Sequence, residues 1–174
     1  RLEQVCAGCS GSFNAPDRAA PTPLLSLLMP SCIRSGRPYN RRGAKYNVVA
    51  LHAGGLPDVA NSFTAVRKLI YEDECCTLNE LRGILLRDFG GDERLRRMFE
   101  RCAVWYGNDD EAADAMLARV VSGFAAAAAE FRERDGLLHP AGISTFGREV
   151  EFAPSRLATP FGRRAHDYLS GNLA

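Results

Sequence analysis

GAKYNVVALHAGG, residues 43–55, is the stretch whose reading decides the fold. It enters through Gly43 and runs through a β-leaning core of Tyr46, Val48, Val49 and Leu51. It breaks at Gly54-Gly55, just before a helix start at Pro57-Asp58. A strand that feeds a glycine turn and then a helix is where α/β proteins place site residues. Strand alternation sends Tyr46, Val48 and Ala50 to one face and Lys45, Asn47 and Val49 to the other.

Outward on the N-terminal side, Thr22-Pro23 reads as a helix start, with Thr22 as N-cap and Pro23 at the first helical position. Leu24, Leu25, Leu27 and Leu28 give it an apolar face that Cys32 and Ile33 continue. Pro30 lacks an N–H and splits the helix. Gly36 ends it as a left-handed cap. Residues 37–42 form a basic loop, open to two readings: solvated arginines or an anion contact.

Outward on the C-terminal side, four helices follow. The first spans 57 to about 71 with Val59, Phe63, Val66 and Ile70 on its inner face. Thr77-Leu78-Asn79-Glu80 is a capping box for the second, which carries Leu78, Leu81, Leu85 and Phe89 and stops at Gly90-Gly91. Asp92 caps the third, with Leu95, Met98, Phe99 and Cys102 inside. Asn108 caps the longest, about 109–134, whose stripe is Ala113, Leu117, Val120, Phe124 and Phe131. Its alanine run allows a neighbour to approach closely. Residues 143–152 alternate like a strand, and 153–164 read as a loop.

A net charge of +1 over 174 residues favours neither nucleic acid nor membrane as a partner. No apolar run approaches the roughly 18 residues of a membrane span, and no secretory pattern is present. The chain begins at Arg1, so it reads as a fragment. Six cysteines (Cys6, Cys9, Cys32, Cys75, Cys76 and Cys102) in a chain of this size point to free thiols and a reducing, cytoplasmic setting. Cys6-Ala7-Gly8-Cys9 is half a metal site or a redox pair at most, since His52, His139 and His166 are scattered singly.

Five segments, in order, resemble the glycyl radical enzymes of the pyruvate formate-lyase-like family. Residues 21–26 with 32–36 (PTPLLS, CIRSG) resemble "PTPFLS…CIERG". Residues 43–47 (GAKYN) resemble "GARYN", and 59–72 resemble "VADSLAALKKLVFE". Residues 106–110 with Asp114 resemble "YGNDD…D", and 158–165 (ATPFGRRA) resemble "ATPDGRRA". The match runs from about Pro21 to the last residue. Asn61 stands where the family carries Asp, and Phe161 replaces the Asp of "PDGR".

The resemblance implies a helix-rich α/β fold, part of a ten-stranded barrel of two antiparallel half-sheets surrounded by helices. Residues 1–174 would be a partial domain, the C-terminal part of that barrel without either radical loop. The thiyl cysteine and the radical glycine are then expected outside this chain, so no catalytic residue is assigned within it. Gly8-Cys9 is similar to the family's "GCVE" but lacks the glutamate and lies too close to Pro21, so Cys9 is read as non-catalytic. Tyr46 and Asn47 are the candidate substrate-binding residues, Tyr46 as a hydrogen-bond donor and Asn47 as an anchor; a purely structural role is the other reading of both. The implied activity is thiyl-radical cleavage of a C–C, C–O or C–N bond in a small substrate, by the full-length protein and not by this piece alone. No bound cofactor or metal is expected; the radical is installed by a separate radical-SAM activase. The implied partners are the small substrate, that activase and a second copy in a homodimer. Two other classes stay open: a helical binding module with a Cys6-Cys9 metal or redox site, and a relative that has lost its radical.

Overall fold

The computed structural model describes residues 4, 21–131, 133–134, 136–144 and 149–170. The chain divides into two compact units. One comprises Arg1–His52 and Phe124–Gly142; the other comprises Ala53–Gly123 and Ile143–Ala174. Cys6 and Cys9 lie outside the described residues.

In the first unit, α1 (Pro23–Leu28) and α2 (Pro30–Ser35) are divided at Met29, as the missing N–H of Pro30 requires. Gly36 closes α2 at φ 62°, the left-handed cap that its lack of a Cβ permits. Thr22 does not cap α1: its hydroxyl turns to Asn40 Oδ1 at 3.2 Å. The apolar face expected on α1 is not covered. Leu24, Leu27 and Leu28 are each more than two-thirds exposed, and only Cys32 is buried, because no described element of this unit packs over the leucines.

The backbone from 47 onward pairs in parallel with residues from 138 onward. Leu138 N–H donates to Asn47 O, Val49 N–H to Leu138 O, and Leu51 N–H to Pro140 O, around a Val48–Leu138 bridge. Regular strand is confined to β1 (Leu51–Ala53). The entry at 44–46 is bent, so the strand begins later than the sequence pattern suggests. Antiparallel β2 (Glu133–Arg134) and β3 (Leu137–Leu138) form a small ribbon, and β4 (Ala141–Ile143) pairs with β1. Leu51 is buried with Ala128, against Phe124 and Phe131. The strand expected over 143–152 stops at Ile143, and Glu149–Phe152 is helical (α7). A four-residue alternation cannot tell the two periods apart, and two glutamates favour helix.

In the second unit, Gly55 at φ 69° opens α3 (Leu56–Val66), which runs on as a π-helical turn (Arg67–Glu72). Its buried face is Leu56, Ala60, Asn61, Thr64, Ala65 and Leu69; of the expected stripe, Val66 and Ile70 pack against the core, while Val59 and Phe63 are 40% and 54% exposed. Small Ala60 and Ala65 allow close packing, and Phe63, Val66, Tyr71, Met116 and Val120 instead line an open groove of about 520 Å³. The principal core joins Ala65, Leu69, Leu81, Phe89, Phe99, Ala158 and Phe161.

The capping box forms as the sequence pattern requires. In α4 (Leu78–Leu86) Glu80 N–H donates to Thr77 Oγ1 at 3.2 Å, and Thr77 N–H donates to Glu80 Oε2 at 2.8 Å. These bonds hold the Glu80 carboxyl below its ordinary range, the backbone bond first. Asp92 caps α5 (Glu93–Arg101) through Leu95 N–H at 2.8 Å. The longest helix is α6 (Glu111–Ala129), and its start is bonded by Asp110, not Asn108: Ala113 N–H donates to Asp110 Oδ1 at 2.9 Å, while Asn108 Nδ2 donates to Trp105 O. Asp109 has φ 54°, which carries Asn108 out of reach. By length and composition α6 is apolar enough to cross a membrane, contrary to the expectation that no run approaches that length, because its alanines count as apolar.

Two tests follow from these contacts. Thr77→Ala should lower stability by about 1 kcal/mol through loss of the cap, read as a shift in the urea midpoint. An unchanged midpoint would mean that the cap contributes nothing. Hydrogen bonds from Arg96, then the charges of Arg96, Arg164 and Arg97, bring the Glu93 carboxyl down to about 2. A lowered folded pKa contributes stability above the unfolded value, and that contribution is lost as pH falls from about 4.5 towards about 2. Glu93→Gln should therefore flatten the acid limb of the stability profile; an unaltered limb would show that Glu93 is not linked to folding.

Candidate functional site

The segment 43–47 is fixed by contacts on several sides. Gly43 N–H donates to Pro38 O at 3.1 Å, and Ser35 Oγ donates to Gly43 O at 3.3 Å. A Cβ on Gly43 would collide with the Arg37 carbonyl group and lie 3.0 Å from Pro38 O, so only glycine fits. Lys45 N–H donates to Ser31 Oγ at 3.1 Å. Asn47 Nδ2 donates to Ala44 O at 3.1 Å, closing the turn on itself. That bond also fixes the amide orientation, so the buried atom left without a described partner is the acceptor Oδ1.

The two candidate residues take opposite sides. Tyr46 is 64% exposed and Val48 is 43% exposed, on one side of the Val48–Leu138 bridge. Asn47 and Val49 are half-buried, and across the bridge Leu137 and His139 are 0% and 1% exposed. From Asn47 to Val49 the alternation holds, with one covered side and one open side; Lys45 and Tyr46, in the bent entry, are both exposed. Tyr46 makes no hydrogen bond to any described residue, and Lys45 Nζ lies 5.1 Å from its ring centroid.

His139 is a residue that the sequence reading passed over as a scattered histidine. Its Nδ1 lies 3.0 Å from Val49 O and so carries the proton, tying the two paired segments together through a side chain. Nε2 is buried with no partner among the described residues. The one signal available in the sequence was a lone imidazole at the end of an apolar Leu137-Leu138 pair. His52 is exposed beside Gly142, where a Cβ would come within 3.0 Å of its ring.

In the second unit, residues 158–165 are held from several directions. Arg163 Nε lies 3.1 Å from Asp58 Oδ1, and Asp58 is 3% exposed. Ser170 N–H donates to Asp58 Oδ2 at 2.7 Å, and Arg163 also donates to Tyr168 O. Arg164 Nη2 reaches Glu93 at 2.6 Å, and Ala165 N–H donates to Asp88 Oδ1 at 2.7 Å. Arg96 Nη1 donates to Gly162 O at 2.9 Å. Among the described residues no group of three His, Cys, Asp or Glu could hold a metal. Cys32, Cys75, Cys76 and Cys102 are free thiols, and burial pushes Cys76 and Cys102 above the ordinary thiol value. Neither is activated as a nucleophile by that shift.

Comparison with known proteins adds three findings. A family model described as pyruvate formate lyase-like matches residues 2–153. A probable dehydratase of Escherichia coli (strain K12) is 33% identical over 155 residues, covering 84% of this chain and 19% of that protein. Two solved structures superpose closely. One, on 1,2-propanediol dehydration in Roseburia inulinivorans, gives a TM-score of 0.80 at 26% identity over 91% of this chain and 21% of that one. The other, a glycyl radical enzyme from Archaeoglobus fulgidus, gives 0.79 at 28% identity over 91% and 20%. The chain thus spans about a fifth of the length of these relatives. The family match begins well before Pro21, where the sequence motifs begin, and stops before residues 158–165.

Because Gly43 sits against backbone and not against a flexible side chain, it has no room to adapt. Gly43→Ala should cost about 1–3 kcal/mol by overpacking, seen as a lowered thermal midpoint. A midpoint equal to wild type would show that the 37–43 turn rearranges freely.

Proposed function

We propose, since this chain belongs to the pyruvate formate lyase-like family of glycyl radical enzymes, that it forms part of a barrel wall in a radical lyase, dehydratase or acyltransferase, with Tyr46 directed at the substrate. The observation that carries the reading is the two-faced strand. Leu51 is packed against Phe124, Ala128 and Phe131 of the following helix and segment, while Tyr46 and Val48 project from the opposite side into open space. In a barrel wrapped by helices, the helix-covered face is the outer one and the open face is the lumen. The longer relatives supply further chain to close such a lumen.

The radical couple of such an enzyme supplies hydrogen abstraction from, or attack on, a small substrate. The residues of this chain hold the substrate for it. Tyr46 O–H donates a hydrogen bond to a polar group of the substrate from the end of a rigid turn. Asn47, on the other face, clamps that turn through Ala44 O and so sets the direction of the Tyr46 ring. The paired backbone of 47–51 with 138–140 keeps the position within the tolerance that near-attack geometry demands. The bond cleaved, the substrate, the radical-SAM activase and the homodimer belong to this proposal.

The test uses the full-length protein activated by its radical-SAM partner. Tyr46→Phe keeps the ring and removes the hydroxyl. It should lower kcat/KM on the order of tenfold, the worth of one hydrogen bond, with the glycyl radical signal in electron paramagnetic resonance unchanged. Wild-type kinetics in that variant would make Tyr46 a packing residue. Failure to acquire any radical would remove the enzyme reading itself.

A further inference from the structure

Two thiols, Cys75 and Cys76, stand side by side in the loop between the π-helical turn and α4, in the unit that does not contain Tyr46. The loop is held at both ends. Lys68 Nζ pairs with Asp73 at 2.8 Å, and Cys75 N–H donates to Leu69 O at 2.8 Å. Thr77 begins the capping box immediately after Cys76. Both cysteines line one open cleft of about 540 Å³, with Glu80 and Arg87 among its other walls. Their settings differ. Cys75 is exposed, and its thiol donates weakly to Asp73 O at 3.8 Å. Cys76 is half-buried and packs against the principal core. Burial, then the charges of Glu80 and Cys75, push the Cys76 thiol up, so it stays protonated near neutrality, and Cys75 is the sulfur that a solute meets first.

We propose that Cys75 and Cys76 form a reversible redox-modification site, at which a peroxide oxidises Cys75 and Cys76 resolves the product to a disulfide between the two neighbours. The Cys75 thiolate attacks one oxygen of hydrogen peroxide and the O–O bond breaks. Cys75 becomes a sulfenic acid, and the other oxygen leaves as hydroxide and takes up the proton that the thiol had lost. The Cys76 sulfur then attacks the sulfenic sulfur. The S–S bond forms, and the departing hydroxide becomes water with the Cys76 proton. Two thiols lose two electrons, and one hydrogen peroxide becomes two waters. Adjacent Cα atoms stand about 3.8 Å apart, closer than in an ordinary disulfide, so the ring is strained and readily reduced. A strained, exposed disulfide is of the labile, regulatory kind and not a staple. The ring sits directly before Thr77 and so constrains the start of α4.

The test treats the full-length protein with hydrogen peroxide before any activation, blocks the remaining thiols with N-ethylmaleimide and maps tryptic peptides by mass. Residues 69–82 form one peptide, with both thiols, and residues 102–119 form another, with Cys102. Cys102 is the near competitor: burial, then Asp73, then Cys75 raise its thiol. The expected result is a 69–82 peptide that carries no maleimide, is lighter by two hydrogens than the dithiol, and regains both labels after dithiothreitol. In Cys76→Ser the same dose should leave Cys75 as a sulfenic acid that dimedone traps. In Cys75→Ser the label on Cys76 should be retained. Two maleimides on the wild-type peptide at every dose short of unfolding would overturn the proposal. So would a cross-link between 69–82 and 102–119, which makes Cys102 the partner, or a sulfinic acid at Cys75 without a disulfide.

Discussion

The parallel pairing of residues 47–51 with 138–140 is the constraint on which the rest depends. Val48 and Leu138 are 90 positions apart in sequence, so the bridge closes a long loop that contains α3 to α6. Closing a loop of that length has an entropic cost that local hydrogen bonds cannot offset. Burial offsets it here: Leu137 and His139 are the most enclosed residues of the later segment, and Leu51 is enclosed on the earlier one. His139 adds a side-chain bond from Nδ1 to Val49 O, so the register is fixed by more than backbone. A one-residue slip would exchange the faces, exposing Leu137 and His139.

That same pairing gives the strand one covered side and one open side. Alternation makes the covered face and the open face inseparable, since every second side chain goes to each. Asn47 and Tyr46 are neighbours in sequence with opposite duties. The amide of Asn47 spends its donor on Ala44 O and so stiffens the turn from which the Tyr46 ring projects. Gly43 contributes by absence, since any side chain there would meet the carbonyl groups of Arg37 and Pro38.

What was legible in the sequence was local. The Thr77-Glu80 box, the Asp92 cap, the Pro30 break and the Gly36 terminus are all set by residues within four positions of one another, and each forms. What was not legible depended on distant partners. The inner face of α3 was assigned to Val59, Phe63, Val66 and Ile70; the last two pack against the core, but in place of Val59 and Phe63 it is Ala60, Asn61, Thr64 and Ala65 that are inside, because close approach of neighbours favours small residues there. The apolar side of α1 was correctly recognised as apolar but remains exposed in this chain. Asn108 lost the cap of α6 to Asp110 through a left-handed Asp109, a backbone choice that no propensity table assigns. At the site, alternation was enough to separate Tyr46 from Asn47. The Lys45 contact was not readable, because a lysine stem reaches around a bend and ignores alternation.

The two departures from the family pattern become intelligible once their surroundings are known. At position 61 the family's aspartate is replaced by asparagine, whose Oδ1 accepts Tyr106 N–H at 3.0 Å and so ties α3 to the segment before α6. That bond needs an acceptor, not a charge, and Asn61 is 6% exposed, so the neutral amide avoids burying an unpaired carboxylate. At position 161 the aspartate becomes phenylalanine, which is 8% exposed and meets Trp105 edge-on with centroids 5.7 Å apart. Arg163 lies over the same ring at 5.4 Å while its Nε pairs with buried Asp58. The turn at Gly162 is therefore held by an aromatic pair and by the Arg96 bond to its carbonyl, which together do without a turn carboxylate. At both positions the residue present places no negative charge on buried ground. The two departures are adjustments of packing, and the segment 158–165 keeps its arginines paired to Asp58, Asp88 and Glu93 regardless.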